Sequence, residues 1–315
     1  MPHVTFIHGI ANKPSKDTLL ANWEAALTNG GLDLGASGIG SSMAYWAHIM
    51  YAAPAAEEEY ENAESNLGTD SDDEDLSWIN SLSETERKFV ESLRNRLRFD
   101  EPSPDGDDFQ NEMGEDEPIV SEGELNFEAI PLPWFIKRRV MKKLLKDVHH
   151  YLFNQEFSPR PGESYRVRNH IRSLFVEQLK EDSAKNNGGP HVIVSHSMGT
   201  VIAYDCLKNV PDCPHIDALM TVGSPLGLSE VQDNLDNFSK NDGYPSSRLK
   251  NNWVNIYDRL DPVALDTRIA GDYKKSGDKI ITDDRVKNDG WWRHSSWKYF
   301  SQPTLCAHLK SMLRL

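Results

Sequence analysis

The pentapeptide Ser195-His196-Ser197-Met198-Gly199 places a hydroxyl between small residues two positions on either side. A serine hydroxyl is a poor nucleophile until a neighbouring base takes its proton. It must also stand out from a sharp turn, so that an acyl carbon can approach and a helix N-terminus can support developing negative charge. The surrounding chain supplies such a turn. His191-Val192-Ile193-Val194 predicts a short buried strand, and Thr200 to Val210 predicts a helix directly after it. Gly199 lets strand and helix pass closely; Ser195 replaces the usual glycine before the nucleophile but is still small. The competing reading of Ser197 is a helix-capping serine.

Elements able to position this serine lie on both sides of it. His3 to Ile7 is an apolar strand candidate. Ser15 can cap a helix carrying Leu19, Leu20, Trp23, Ala26 and Leu27, which Asn29-Gly30-Gly31 ends. Met43 to Met50 is a second strand-like run. Glu163 to Lys180 repeats Val167, Ile171, Leu174, Phe175 and Leu179 at helical spacing, and Gly188-Gly189-Pro190 breaks the chain after it. Further strands are predicted at Asp217–Val222, Trp253–Tyr257 and Lys279–Thr282, and a last helix over Ser295–Leu313 that Pro303 must kink or divide. Alternating strands and helices predict an α/β fold, with a mostly parallel sheet of about six strands and helices on both faces. No internal repeat is visible.

Together these features resemble the α/β-hydrolase superfamily, in particular its lipase- and esterase-like members. The first strand ends in Phe6-Ile7-His8-Gly9-Ile10, similar to the family's turn after the third strand of the full fold; the first two strands are then missing. The resemblance implies an oxyanion hole from the amides of Ile10 and Met198. The family's order is serine, then acid, then histidine. Tyr257-Asp258-Arg259-Leu260-Asp261-Pro262-Val263 resembles the acid loop and implies Asp261 as the orienting acid, with Asp258 as rival. His294, after the last predicted strand, is implied as the base. The expected activity is carboxylic ester hydrolysis, of lipid or acyl esters, by Ser197, His294 and Asp261 through an acyl-enzyme. A thioesterase or acyltransferase would use the same residues. The reading from another class is a non-catalytic binding protein that keeps the fold while a long acidic insertion recruits a basic partner.

Other chemistry-bearing residues have blander readings. His308 lies inside the last helix. His196 reads as packing and His8 as a structural hydrogen-bonder. Trp291 and Trp292 could line an acyl pocket or belong to the core. His149-His150 have no partners at ligand spacing, and Cys206, Cys213 and Cys306 form no zinc or disulfide pattern, so no metal and no cofactor are expected.

The 315 residues carry 34 Lys+Arg against 49 Asp+Glu, a net charge of −15. Between Glu57 and Glu128 lie 25 of those acids and only five bases, so the remainder is mildly basic. The acidity belongs to an insertion, which divides the chain into 1–51 (first part of the core), 52–160 (insertion) and 161–315 (second part of the core). Glu57-Glu58-Glu59, Asp72-Asp73-Glu74-Asp75 and Glu115-Asp116-Glu117 repel one another, and Asp100 to Glu124 reads as disordered. Within the insertion, Ser83 and Glu86 form a capping box before Phe89, Val90, Leu93 and Leu97. Trp134 to Phe153 is a basic amphipathic helix. Ile136, Val140, Leu144, Val148 and Tyr151 face one way, and Lys137, Arg138, Arg139, Lys142, Lys143 and Lys146 the other. It reads as a surface helix packed on the core, or as a lid meeting anionic membrane through 134–153. An acidic chain is not expected to bind nucleic acid. With no run near the ~20 apolar residues of a membrane span and no signal pattern, a cytoplasmic setting is expected.

Overall fold

In the computed structural model, the described residues are 1–58, 60, 77–96, 134–250, 252–290 and 292–315, without the side chains of 77 and 134–141. Outside them lie Glu59, the runs at 72–75 and 115–117, the stretch from Asp100 to Glu124, Leu97, Trp291, and the side chains of Ile136, Lys137, Arg138, Arg139 and Val140.

The chain opens with β1 (His3–Ile7), α1 (Lys16–Asn29), β2 (Gly40–Ala44) and a short helix α2 (Ala47–Met50). Between residues 52 and 160 come α3 (Glu84–Arg96) and α4 (Trp134–Leu152). A small antiparallel pair, β3 (Glu156–Phe157) and β4 (Tyr165–Arg166), leads into α5 (Val167–Lys185). The second half contains β5 (His191–His196), α6 (Met198–Asn209), β6 (Ala218–Val222), α7 (Ser229–Gln232), β7 (Trp253–Asp258), β8 (Thr282–Val286), α8 (Ser296–Phe300) and α9 (Pro303–Leu313). Six strands form one parallel sheet in the order β2-β1-β5-β6-β7-β8.

Both faces of the sheet are covered, which is why its inner strands are almost uniformly apolar. Successive residues alternate between two cores. Val4, Phe6, Val192 and Val194 pack with Leu19 and Trp23 of α1 and with Phe300, Leu305 and Leu309 of α8 and α9. Ile7, Ile193 and Leu219 pack on the other face with Ile171, Phe175 and Leu179 of α5 and Val201 and Ile202 of α6. The described helices of 52–160 join this second core through Phe89, Val90 and Leu93 of α3 and Leu144, Leu145 and Val148 of α4.

The capping box forms as expected: the Ser83 amide donates to Glu86 Oε2 at 2.8 Å. Arg96 closes the far end of α3, its Nε donating to both Glu230 oxygens at 3.0 and 2.9 Å. Beyond Lys146, α4 is buried almost all round, Asp147, His149 and His150 included, so its inner half is core rather than a two-faced surface helix.

Two predicted elements are corrected. The run Met43–Met50 splits: β2 ends at Ala44 and α2 follows from Ala47. The Trp46 amide donates to His8 Nε2 at 3.0 Å, turning the chain out of the sheet; apolar periodicity cannot distinguish a short buried strand from one helical turn. The last strand is Thr282–Val286 rather than Lys279–Thr282. It is an edge strand and carries charge, whereas the apolar Ile281 that suggested a strand is packed into the core before it begins. Pro303 divides the last helix outright, standing in the first turn of α9.

Candidate active site

Parallel strands bring their C-terminal ends to one edge of a sheet, where loops can converge. The register sets Ile7 of β1 beside Ser195 of β5, His196 beside Val222 of β6, and Val222 beside Ile256 of β7. The turns after β1, β5, β6 and β7 therefore meet, though they are far apart in sequence.

Ser197 is the elbow between β5 and α6, at φ 55° and ψ −130°. A non-glycine residue there is strained by about 1–3 kcal/mol, held only if its surroundings over-determine it. They do. The Ser197 amide donates to Val222 O at 2.9 Å, and Thr200 Oγ1 donates to Ser197 O at 2.7 Å. Gly199 is required because a Cβ there would lie 2.5 Å from the Ile7 carbonyl oxygen. Ser195 fits in place of a glycine by donating its hydroxyl to Met220 O at 3.0 Å. The capping alternative for Ser197 fails: its side chain makes no capping bond, and its buried Oγ has no hydrogen-bond partner among the described residues.

His294 stands between β8 and α8. Its Nδ1 is 2.8 and 2.9 Å from the two oxygens of Asp261, on the loop after β7. Its Nε2 is buried and, like Ser197 Oγ, has no hydrogen-bond partner among the described residues, so the two are not bonded to each other. Both adjoin Gly223 (φ 55°): Ser197 is tied to the preceding Val222, and a Cβ on Gly223 would lie 3.2 Å from His294 Nδ1 and 2.9 Å from Asp261 Oδ2. Only glycine fits under this carboxylate–imidazole pair.

Asp261 is fully buried. Burial alone would raise its carboxyl, but His294, the amide of Val263 at 2.8 Å and the Tyr299 hydroxyl at 2.8 Å outweigh it and hold it below the ordinary range. The rival Asp258 does not meet the imidazole. It accepts from the Leu260 amide at 2.8 Å and the Asn288 amide at 2.6 Å and faces Arg293 at 3.4 Å; burial raises its carboxyl above the ordinary value. Tyr299 ties the end of β7 to the loop after it, its hydroxyl accepting from the Asp258 amide at 2.8 Å while donating to Asp261.

The His8-Gly9-Ile10 turn lies against the elbow: a Cβ on Gly9 would be 2.4 Å from Ser197 Cβ and 2.9 Å from Oγ. The Ile10 amide therefore starts beside the nucleophile, and the Met198 amide opens α6, in a first turn whose N–H groups have no intrahelical acceptor. His8 is structural. Its Nε2 accepts from the Trp46 amide, so Nδ1 carries the proton and donates to Gly9 O at 3.0 Å, while burial holds the ring neutral.

Sequence reasoning undervalued several residues. His196, read as packing, donates Nε2–H to the His294 carbonyl at 3.0 Å and stacks obliquely on its ring at 4.7 Å between centroids. Trp292 meets the same ring edge-on at 5.5 Å. Gly223 had a usable signal, a glycine ending a strand before Ser-Pro; Tyr299 had none, being one aromatic among several in a terminal helix. His308 is remote, paired with Asp284 at 2.7 Å. His149 lies obliquely on the Trp78 ring and His150 meets it edge-on, and no metal-binding group of His, Cys, Asp or Glu exists among the described residues. No described helix is long and apolar enough to cross a membrane.

No protein-family model matches the chain, and no curated protein does. Among solved structures, the chain is similar to an S-formylglutathione hydrolase from Agrobacterium tumefaciens, with 11% identity and a TM-score of 0.37 over 99% of this chain and 83% of that one. It is also similar to an uncharacterized protein from Pseudomonas aeruginosa, with 9% identity and a TM-score of 0.30 over 91% of this chain and 40% of that one. Likenesses this distant do not bear on chemistry.

Proposed function

We propose that this chain is a serine hydrolase that cleaves carboxylic esters, lipid or acyl esters in particular. One observation carries the reading: a strained elbow serine, whose buried hydroxyl has no partner among the described residues, and an imidazole held at Nδ1 by a buried carboxylate lie on the same Val222-Gly223 turn. In this reading His294 Nε2 takes the Ser197 proton as Oγ attacks the ester carbonyl. Asp261 fixes the tautomer and stabilises the imidazolium. The Ile10 and Met198 amides receive the oxyanion. His294 then returns the proton to the departing alkoxide, and water deacylates Ser197 by the same base. The Ser197–His294 bond is made when the hydroxyl turns toward the imidazole; such bonds are often loose before substrate enters. No metal or cofactor takes part.

The test is labelling by a fluorophosphonate together with hydrolysis of a p-nitrophenyl ester series. Labelling at Ser197, and activity lost to background in Ser197→Ala with unchanged thermal unfolding, are expected. Ester hydrolysis retained in Ser197→Ala would end the reading. Product analysis with an alcohol or thiol acceptor separates hydrolysis from acyl transfer.

A further inference from the structure

We infer that Asp147, on α4 of the insertion, is a positioning residue that holds the oxyanion turn in its working shape. The inference rests on the reading of Ile10 as an oxyanion donor. Two successive peptide planes carry the argument. The Gly9–Ile10 plane is held by its carbonyl, which accepts from His8 Nδ1 at 3.0 Å, leaving the Ile10 N–H to point away. The Ile10–Ala11 plane is held at both ends: Lys13 Nζ donates to Ile10 O at 2.6 Å, and the Ala11 N–H donates to Asp147 Oδ2 at 2.8 Å. Ala11 adopts φ 67°, a left-handed conformation that alanine does not choose unaided. Asp147 is itself oriented by Tyr51, whose hydroxyl donates to both carboxylate oxygens at 3.2 and 3.0 Å.

Asp147 is fully buried, and a buried carboxylate is costly unless its oxygens are bonded. A helix that served only to cover the core could carry an apolar residue there, as it does at the neighbouring Leu144, Leu145 and Val148. The acid instead reaches across 136 positions of sequence to the one peptide group that follows the proposed oxyanion donor. The insertion thus completes the site from outside the core segments, and catalysis depends on α4 being docked.

The experiment uses the full chain and compares Asp147→Ala, Asp147→Asn and Val148→Ala. In Asp147→Ala, kcat falls ~10²-fold, the scale of one lost oxyanion donor, while KM changes little. Inhibition by an alkyl boronic acid, which forms a tetrahedral anionic adduct on serine, weakens in proportion. Asp147→Asn keeps an oxygen for the Ala11 N–H and recovers most of the activity. Val148→Ala removes core packing from α4 but leaves it docked and the Asp147–Ala11 bond made; it lowers the unfolding temperature and leaves kcat near wild type. Should Asp147→Ala fail to fold, Tyr51→Phe provides the same reading in weaker form, with kcat reduced and KM unchanged. An unchanged kcat in folded Asp147→Ala or Tyr51→Phe overturns the inference, as does an equal kcat loss in Val148→Ala. Fluorophosphonate labelling of wild-type Ser197 reports separately on the parent reading, which survives either result.

Discussion

Gly9→Ala tests whether the turn after β1 and the elbow serine act together. A Cβ at Gly9 would sit 2.4 Å from Ser197 Cβ, 2.9 Å from Ser197 Oγ and 3.1 Å from His196 O, where ordinary contact begins at 3.4 Å. The elbow cannot retreat, because its amide is bonded to Val222 and Gly199 is already against the Ile7 and His8 carbonyls. The turn must therefore move by about 1 Å, the difference between the clash and normal contact. Overpacking of this size costs about 1–3 kcal/mol of stability. Catalysis should suffer more, since the Ile10 amide moves with Gly9, and a displacement of about 1 Å in a reacting constellation costs on the order of 10²-fold. The assay is kcat and KM on a short p-nitrophenyl ester beside a thermal melt. The expected result is kcat down about 10²-fold with a small change in KM and a modestly lowered melting temperature. A folded Gly9→Ala protein with kcat within about twofold of wild type would refute the reasoning, because the clash would then have been absorbed without disturbing the oxyanion donor.

Four further outcomes follow from the geometry. Asp261→Asn should lower kcat by on the order of 10⁴-fold, by favouring the wrong imidazole tautomer, while Asp258→Asn, which leaves the imidazole's partner intact, stays within about tenfold; reversed magnitudes in steady-state kinetics would exchange their roles. Tyr299→Phe strips Asp261 of a donor and leaves the buried Asp258 amide unpaired, costing about 2–4 kcal/mol in urea unfolding, and the acid limb of the kcat/KM profile moves to higher pH; an unmoved limb would remove Tyr299 from the catalytic argument. Burial lowers His149, His150 and His191 from 6.5 to about 4. The unfolded chain binds those protons first, so stability is full above about pH 6.5 and falls toward pH 4, by up to about 3 kcal/mol per histidine; a urea midpoint that stays fixed from pH 7 to pH 5 would contradict this. Gly199→Ala should destabilise the fold more than Gly9→Ala, because its Cβ meets two backbone carbonyls that cannot rotate away; equal melting temperatures would count against that packing.

How much of this was legible in the residues differs from element to element. The strand–elbow–helix around Ser197 was readable because its determinants are local: a β-branched run, a small-residue turn and a helix start within about twenty residues. The sheet class followed from alternation alone, since a strand buried on both faces must be apolar throughout. Boundaries failed where a tertiary contact decided them. Trp46 left the sheet because His8 accepted its amide, and β8 could be polar because it lies at the edge.

The acid was left open in sequence because Asp258 and Asp261 share one loop and one chemistry; only the fold gave one of them the imidazole and the other the arginine. The roles of Tyr299 and Asp147 were likewise invisible, and Gly223 showed only a turn, not what it lies under. Each acts on a group at least 38 residues away, apart from contacts local to its own loop. Sequence alone determined which side chains could do chemistry and which short segments could hold them at a turn. Tertiary structure decided which met, because strand register and helix docking, neither encoded in local spacing, set every distance between them.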